Sequence, residues 1–254
     1  MVRLASFNIL KELVLTDFKL KYWSPVFGYL WSVINPLIML TTLYIVFSFI
    51  IQISTPHYQL FLLIGIIIWN FFQDTTDLTL NSLNEKSDLI KKLNISPINY
   101  LISSEISSFL NLSINLVIFF IMMFIFGLKI HLSSLLYGAF YLILLVFCSF
   151  GVSLILAGIY VRLRDIKHIW NIIILVWFWL TPIFYAETRI PENIRKYYML
   201  NPIARIINHV RDVFVFDFHS SSEQVLITMI LCITILLFGF LIFSYSNPKF
   251  AEEL

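Results

Sequence analysis

Two sets of polar side chains lie inside long apolar runs, and their spacing is the first chemistry the sequence offers. Asn70, Gln73, Asp74, Asp77 and Asn81 recur at three- and four-residue intervals, and so do Ser104, Ser108, Asn111 and Asn115, with Glu105 beside them. At helical periodicity each set falls on one face of its helix. Polar groups are costly in hydrocarbon, so such a stripe either lines a water-filled path or joins helices through hydrogen bonds. Asp74 and Asp77, one turn apart, favour the wet path, because an ionised group at that depth needs water or a cation. No third acid or histidine continues a proton relay from them.

Missing chemistry narrows the classes further. None of the seven glycines is followed by lysine, so the GxxxxGK[ST] phosphate cradle is absent and the chain does not bind ATP in that way. His57, His131, His168, His209 and His219 show neither HExxH spacing nor pairing with cysteine, which argues against a zinc site. There is no GxSxG nucleophile turn. Only Arg162, Arg164 and Asp165 together with Asp74, Asp77, Glu85 and Asp88 approximate the acid cluster of an enzyme of lipid or sugar chemistry. Cys148 and Cys232 sit in apolar runs without a CxxC and read as free buried thiols.

The elements that must hold these residues are set by composition. Of 254 residues 59% are hydrophobic and 13% charged, and the mean hydropathy is +0.88. Such a chain needs lipid as its solvent. A spanning helix takes about 20 apolar residues, and the runs at 26–52, 58–80, 98–127, 132–161, 166–185 and 225–245 predict six spans in one membrane domain, 1–254. The runs are continuous and long, which favours helices over β-barrel strands of about ten alternating residues. A net charge of +2 gives no field for nucleic acid. Arg3, Lys11, Glu12, Asp17, Lys19 and Lys21 break up the first 26 residues, so no removable signal peptide is expected there.

With the N-terminus cytoplasmic, Arg3, Lys11, Lys19, Lys21, Lys86, Lys91, Lys92, Arg162, Arg164, Lys167 and Lys249 fall inside, against Lys129, Arg189, Arg195, Lys196, Arg205 and Arg211 outside. That bias predicts both termini cytoplasmic, and the membrane is expected to be the inner, cytoplasmic one. Segment 1–25 suits an amphipathic helix in the interface plane, since Ile9, Leu13, Leu15, Phe18 and Tyr22 lie near one side. Stretch 81–97 carries a short apolar stripe, Leu89, Ile90 and Leu93, with Lys91 and Lys92 near its end, and fits either a docking helix or an ordinary positive inner loop. Segment 186–222 is too long for a turn and too polar to span. Asn201 before Pro202 is a helix cap, Pro191 and Pro202 suit first-turn positions, and Ile203, Ile206, Ile207, Val210 and Phe214 form a stripe with Arg205, Asn208, Arg211 and Asp212 off it. Short helices re-entering the outer leaflet and helices lying on the surface both fit. Trp69, Phe71, Phe72, Trp170, Trp177, Phe178, Trp179, Phe184 and Tyr185 are expected mainly as interface anchors.

The run from Asp17 to Tyr22, followed by Phe27-Gly28-Tyr29-Leu30-Trp31-Ser32-Val33-Ile34-Asn35-Pro36-Leu37, resembles the opening of type-two ABC exporter permeases for O-antigen, capsule and teichoic acid. Leu163-Arg164-Asp165-Ile166, the span ending Thr181-Pro182-Ile183-Phe184-Tyr185, Asn201-Pro202 and Arg211-Asp212 are similar to later blocks of that family. The ending from Lys249 to Leu254 looks like its O-antigen members. Lys21 and Phe27 depart mildly from the usual Arg and Leu, and Lys is the poorer bidentate partner for phosphate.

The resemblance implies an all-α, six-span transmembrane permease with an N-terminal interface helix, a cytoplasmic coupling helix and outer gate helices. Its partners would be a second copy, two ATP-binding-cassette subunits, the bilayer and a polyprenyl-diphosphate-linked glycan, and nucleic acid would be none of them. No cofactor is expected in this chain, with ATP and Mg in the partner subunit and no catalytic or metal residues here. Glu85, Lys86, Asp88, Leu89, Ile90, Lys91 and Lys92 would receive ATP-driven motion. Asn70, Gln73, Asp74, Asp77, Ser104, Ser108, Asn111 and Asn115 would line the channel. Lys19, Lys21, Tyr22, Trp31, Arg162 and Arg164 would meet incoming substrate, the basic ones attracting its diphosphate, although positive-inside residues need no such role. Tyr197, Tyr198, Asn201, Pro202, Arg205 and Arg211 would form the outer gate. Teichoic acid or capsule export by the same mechanism, an ion-coupled secondary transporter or channel suggested by the acidic stripe, and a membrane-bound glycosyl or polyprenyl transferase are the alternatives.

Overall fold

The computed structural model describes residues 10–16, 30–53, 55–85 and 96–246, and among them every regular element is helical. A helical stretch over 10–16 precedes α1 (Leu30–Tyr44), which passes into a π-helical turn (Ile45–Ile50). There follow α2 (Tyr58–Glu85), α3 (Ile98–Ile125), α4 (Leu132–Tyr160), α5 (Ile166–Leu180), a 3-10 turn (Glu187–Arg189), α6 (Glu192–Tyr198), α7 (Pro202–Phe214) and α8 (Ser222–Ser246). Among the described residues four helices are long and apolar enough to cross a membrane: Leu30–Ile50, α3, α4 and α8. The 28-residue α2 has the length, but Asn70, Gln73, Asp74 and Asp77 dilute it. The apolar α5 has only 15 residues.

The first half of α2 explains the centre of the bundle. Leu60, Phe61, Leu62, Leu63, Ile64, Ile66, Ile67 and Ile68 are all buried. A helix apolar on every side has no polar face to offer and must be surrounded, and α1, α3, α4, α5 and α7 pack around this one. On its flank, α4 and α8 run together at backbone contact. A Cβ at Gly151 would lie 2.8 Å from the backbone of Leu236. One at Gly239 would run into the carbonyl of Gly151. Small residues gain dispersion here by letting backbones approach, the usual source of helix association where lipid is as apolar as leucine. Hydroxyls within apolar helices bond to the preceding turn: Thr41 donates to Leu37 O at 2.8 Å and Thr42 to Ile38 O at 2.9 Å.

Three expectations change. The second helix continues through Glu85, so the inner segment placed at 81–97 begins as helix. Residues 86–95, with Lys86, Asp88, Leu89, Ile90, Lys91 and Lys92, lie outside the described residues, as do Lys19, Lys21 and Tyr22. The run to 185 stops as helix at Leu180, because Pro182 has no N–H and biases Thr181 to the extended conformation it adopts (φ −81, ψ 135). Most of the aromatics are also not membrane-interface anchors. Trp69, Phe71, Phe72, Trp170 and Phe178 are buried, and rings from α2 and α5 interlock, Phe72 to Trp177 at 5.3 Å and Trp69 to Phe178 at 5.7 Å.

Gly239→Leu should force α4 and α8 apart and cost about 1–3 kcal/mol, as overpacking typically does. A thermal unfolding midpoint in detergent equal to that of the unsubstituted chain would contradict the close approach.

Candidate functional site

Two polar regions are built on this frame. The first is a cavity of about 900 Å³ walled by α1, α2, α3 and α5. Asn70, Gln73, Asp74 and Asp77 of α2 line it, with Asn111 of α3, Asn171 of α5 and Trp31, Ser32 and Asn35 of α1. Asn111 donates from Nδ2 to Asp74 Oδ2 at 2.9 Å, and Asn115 Nδ2 in turn donates to the Asn111 carbonyl at 2.9 Å. Trp69 Nε1 donates to Gln73 Oε1 at 3.2 Å. Trp69, Phe178 and Trp179 add aromatic wall. Amides, carboxylates and rings on one concave surface can exchange hydrogen bonds with polyhydroxylated material and offer it flat apolar faces.

The second region is segment 186–222, and it is built around α7. Asn201 Oδ1 accepts from Ile203 N at 3.0 Å and Ala204 N at 3.4 Å, with Pro202 in the first turn where its missing N–H costs nothing. The same Asn201 donates from Nδ2 to Thr181 Oγ1 at 3.0 Å, tying α7 to the end of α5. Arg211 is 1% exposed. Its guanidinium donates to Phe61 O at 3.0 Å, Pro182 O at 2.7 Å and Ile183 O at 2.5 Å, and lies 3.5 Å above the Phe61 ring. Gly65 is needed opposite it, because a Cβ there would fall 2.5 Å from Arg211 Nη2. Tyr58 completes the joint by donating to Phe184 O at 2.6 Å.

A second cavity, of about 860 Å³, opens between α6, α7 and the chain leading to α8, lined by Glu187, Arg195, Arg205, Asn208, His209, Arg211 and Asp212 among others. Its polar groups are largely bonded to one another. Arg205 donates to Thr228 Oγ1 at 2.9 Å, Met199 O at 3.2 Å and Gln224 O at 3.0 Å. Asn208 donates to Glu187 Oε2 at 2.6 Å. His209 lies within 2.6 Å of Ser220 Oγ and 2.9 Å of Thr228 Oγ1. Burial, then the charge of Arg205, pushes its imidazole down to about 4, so it is neutral near pH 7. Burial likewise raises Asp212 to about 6, against the hydrogen bond from Ser220.

The structure therefore brings five of the expected channel residues, Asn70, Gln73, Asp74, Asp77 and Asn111, to one cavity, together with Trp31. Asn115 stands behind Asn111. Ser104 and Ser108 are buried between helices, Ser104 donating to Tyr100 O at 3.0 Å. Of the residues expected to meet substrate, Arg162 faces a separate groove between α4 and α8, and Arg164 is exposed on the turn before α5. Tyr197 is exposed on α6 and Tyr198 half-buried, whereas Arg205 and Arg211 are buried, although the stripe put them off the apolar face. Glu187 and His209 were not singled out as site residues. Their partners, Asn208 for the one and Ser220 and Thr228 for the other, are 11 to 21 residues away, and no local spacing marks them.

Among the described residues, an all-helical bundle with apolar helices of spanning length and a polar, amide-lined cavity is the architecture of a membrane-embedded protein. The profile of the ABC-2 type transporter family matches residues 10–215, and the chain belongs to that family. It is similar over 248 residues, at 29% identity, to an O-antigen export system permease protein RfbA of Klebsiella pneumoniae, covering 98% of this chain and 95% of that one. It is also similar to the O-antigen export system permease protein RfbA of Myxococcus xanthus, at 22% identity over 249 residues, covering 97% and 95%.

Replacing Arg211 by Met should remove three carbonyl partners at once and cost about 3 kcal/mol or more, since buried carbonyls left unpaired lose about 1–3 kcal/mol each. Arg211→Lys, which retains the charge but fewer donors, should fall between. Unfolding midpoints for both variants equal to that of the unsubstituted chain would contradict the joint.

Proposed function

We propose that this chain is the membrane subunit of an ATP-driven exporter that carries lipid-linked O-antigen polysaccharide across the inner membrane. The observation that supports this most is similarity along almost the whole of both chains to permeases named for O-antigen export. The cavity is compatible with such a cargo, because amide and aromatic walls suit sugars without demanding one sequence of them. Six spans with both termini cytoplasmic, a pairing of two copies, and two ATP-binding-cassette subunits carrying ATP and Mg complete the reading. In it α2 and α5 are spans too, α5 being extended by the paired loop that follows it.

In this reading Asn70, Gln73, Asp74, Asp77 and Asn111 line the conduit, Glu85 and the following residues to Lys92 receive the ATPase, and α6 and α7 close the outer end. Trp31 and Arg164, with Lys19, Lys21 and Tyr22, would meet the polyprenyl diphosphate as it arrives. The chain supplies no phosphate cradle, so hydrolysis belongs to the partner. Teichoic acid or capsule would travel by the same route. An ion-coupled transporter is the reading that Asp74 and Asp77 in the cavity favour instead.

Purified alone, the chain should hydrolyse no ATP. Deleting its gene in a strain that displays O-antigen should remove the polymer from the surface and leave lipid-linked glycan inside, and restoring the gene should restore it; surface polymer persisting after deletion would overturn the proposal. Asp74→Asn separates the two readings. The amide can still accept from Asn111, so the exporter should keep most of its surface glycan, whereas an ion-coupled carrier should lose transport by about tenfold or more, as a removed proton or cation ligand implies.

A further inference from the structure

The groove between the C-terminal ends of α4 and α8 is unused by the proposed function. It has a volume of about 430 Å³ and is lined by Gly158, Ile159, Arg162, Leu163, Leu241, Ile242, Tyr245 and Ser246. The cavity lined by Asp74 is walled by α1, α2, α3 and α5, and shares no residue with this groove. The two helices run parallel here, with Gly151 against Leu236 and Gly158 against Ile242. Their ends therefore stand side by side at one membrane surface. Both C-termini carry partial negative charge, so an anion at that place needs a fixed cation. Arg162 is that cation, and its guanidinium is held 5.3 Å above the Tyr245 ring at the mouth of the groove.

Behind the guanidinium the walls are apolar and outward-facing, Leu241 being 69% and Leu163 44% exposed. A cation at headgroup depth leading into an apolar channel matches an amphiphile with a phosphate at its head and a hydrocarbon chain behind. Arg presents donors in a fork that fits phosphate oxygens, and basic pockets between helix ends are the form that recognition of anionic lipid takes. A volume of about 430 Å³ suits part of one acyl chain rather than a long isoprenoid with a polymer attached.

We propose that this groove binds one anionic glycerophospholipid per chain, its phosphate on Arg162 and an acyl chain along Gly158, Leu241 and Ile242. The inference rests on the membrane-embedded fold alone and not on the identity of the exported polymer.

The test is native mass spectrometry of the purified full chain with added dioleoylphosphatidylglycerol or, for comparison, dioleoylphosphatidylethanolamine. One phosphatidylglycerol should be retained at least about fivefold more tightly than phosphatidylethanolamine, the minimum expected of one basic residue near a membrane surface. Arg162→Gln should abolish that preference, and Leu241→Trp, which fills the groove from an exposed position, should lower retention of both lipids. Equal retention of the two lipids by the unsubstituted chain, or a preference that survives Arg162→Gln, would overturn the proposal. Added undecaprenyl diphosphate displacing phosphatidylglycerol one for one would overturn it too and assign the groove to an isoprenoid. A chain that shows the lipid preference while its deletion leaves surface O-antigen intact would remove the exporter reading and keep the lipid site.

Discussion

Hydrocarbon provides no partner for a backbone carbonyl, and the end of this molecule built around α7 is organised by that constraint. Helix α5 stops at Leu180, ahead of Pro182, and the chain then turns with its carbonyls unpaired by any helix. Arg211 takes those of Pro182 and Ile183 together with that of Phe61, Tyr58 takes that of Phe184, and Asn201 takes the Thr181 hydroxyl. A single guanidinium thus joins α7, the start of α2 and the break after α5. Burying a cation is expensive, and it is tolerated here because three carbonyl dipoles and the face of Phe61 replace its water.

Once that joint is made, the remaining arrangement follows. Helix α7 is drawn into the bundle against α2, α4 and α8, so it is part of the same interior rather than a helix laid over it. The polar groups of α7 are spent on internal bonds, Arg205 and His209 both meeting Thr228 of α8. The half of α2 beyond the joint is freed from a packing role on one face, and there its amides and acids line the cavity. In the exporter reading this divides α2 between a structural outer half and a conduit-lining inner half. Motion received at the inner end would travel along one continuous helix to the joint that closes the outer end.

How much of this was legible in the residues differs from element to element. Long apolar runs predict helices because nothing else satisfies the backbone in lipid, and the Asn201-Pro202 cap is local chemistry that a sequence states directly. The three- and four-residue stripes predict a shared face but not what the face meets. Ser104 turns back to its own helix carbonyl, whereas the Asn111 amide reaches across to Asp74, so equal spacing led to unequal places. Arg211 looked like an off-face surface charge, since its partners are carbonyls 28, 29 and 150 residues away and carry no side-chain signal. The ring cluster of Phe72, Trp170 and Trp177 was masked in the same way, because a tryptophan near a span end reads identically whether it meets lipid headgroups or another helix.

Hydrogen exchange on the purified full chain tests the burial of α7 most directly. If Arg211 seats α7 in the bundle, amides of 203–214 should exchange as slowly as those of the enclosed stretch 60–69, while 192–198 and 216–221 exchange fast. Exchange of 203–214 at the rate of 192–198 would mean that α7 lies on the surface, and the joint at Arg211 would not be what holds this end of the molecule together.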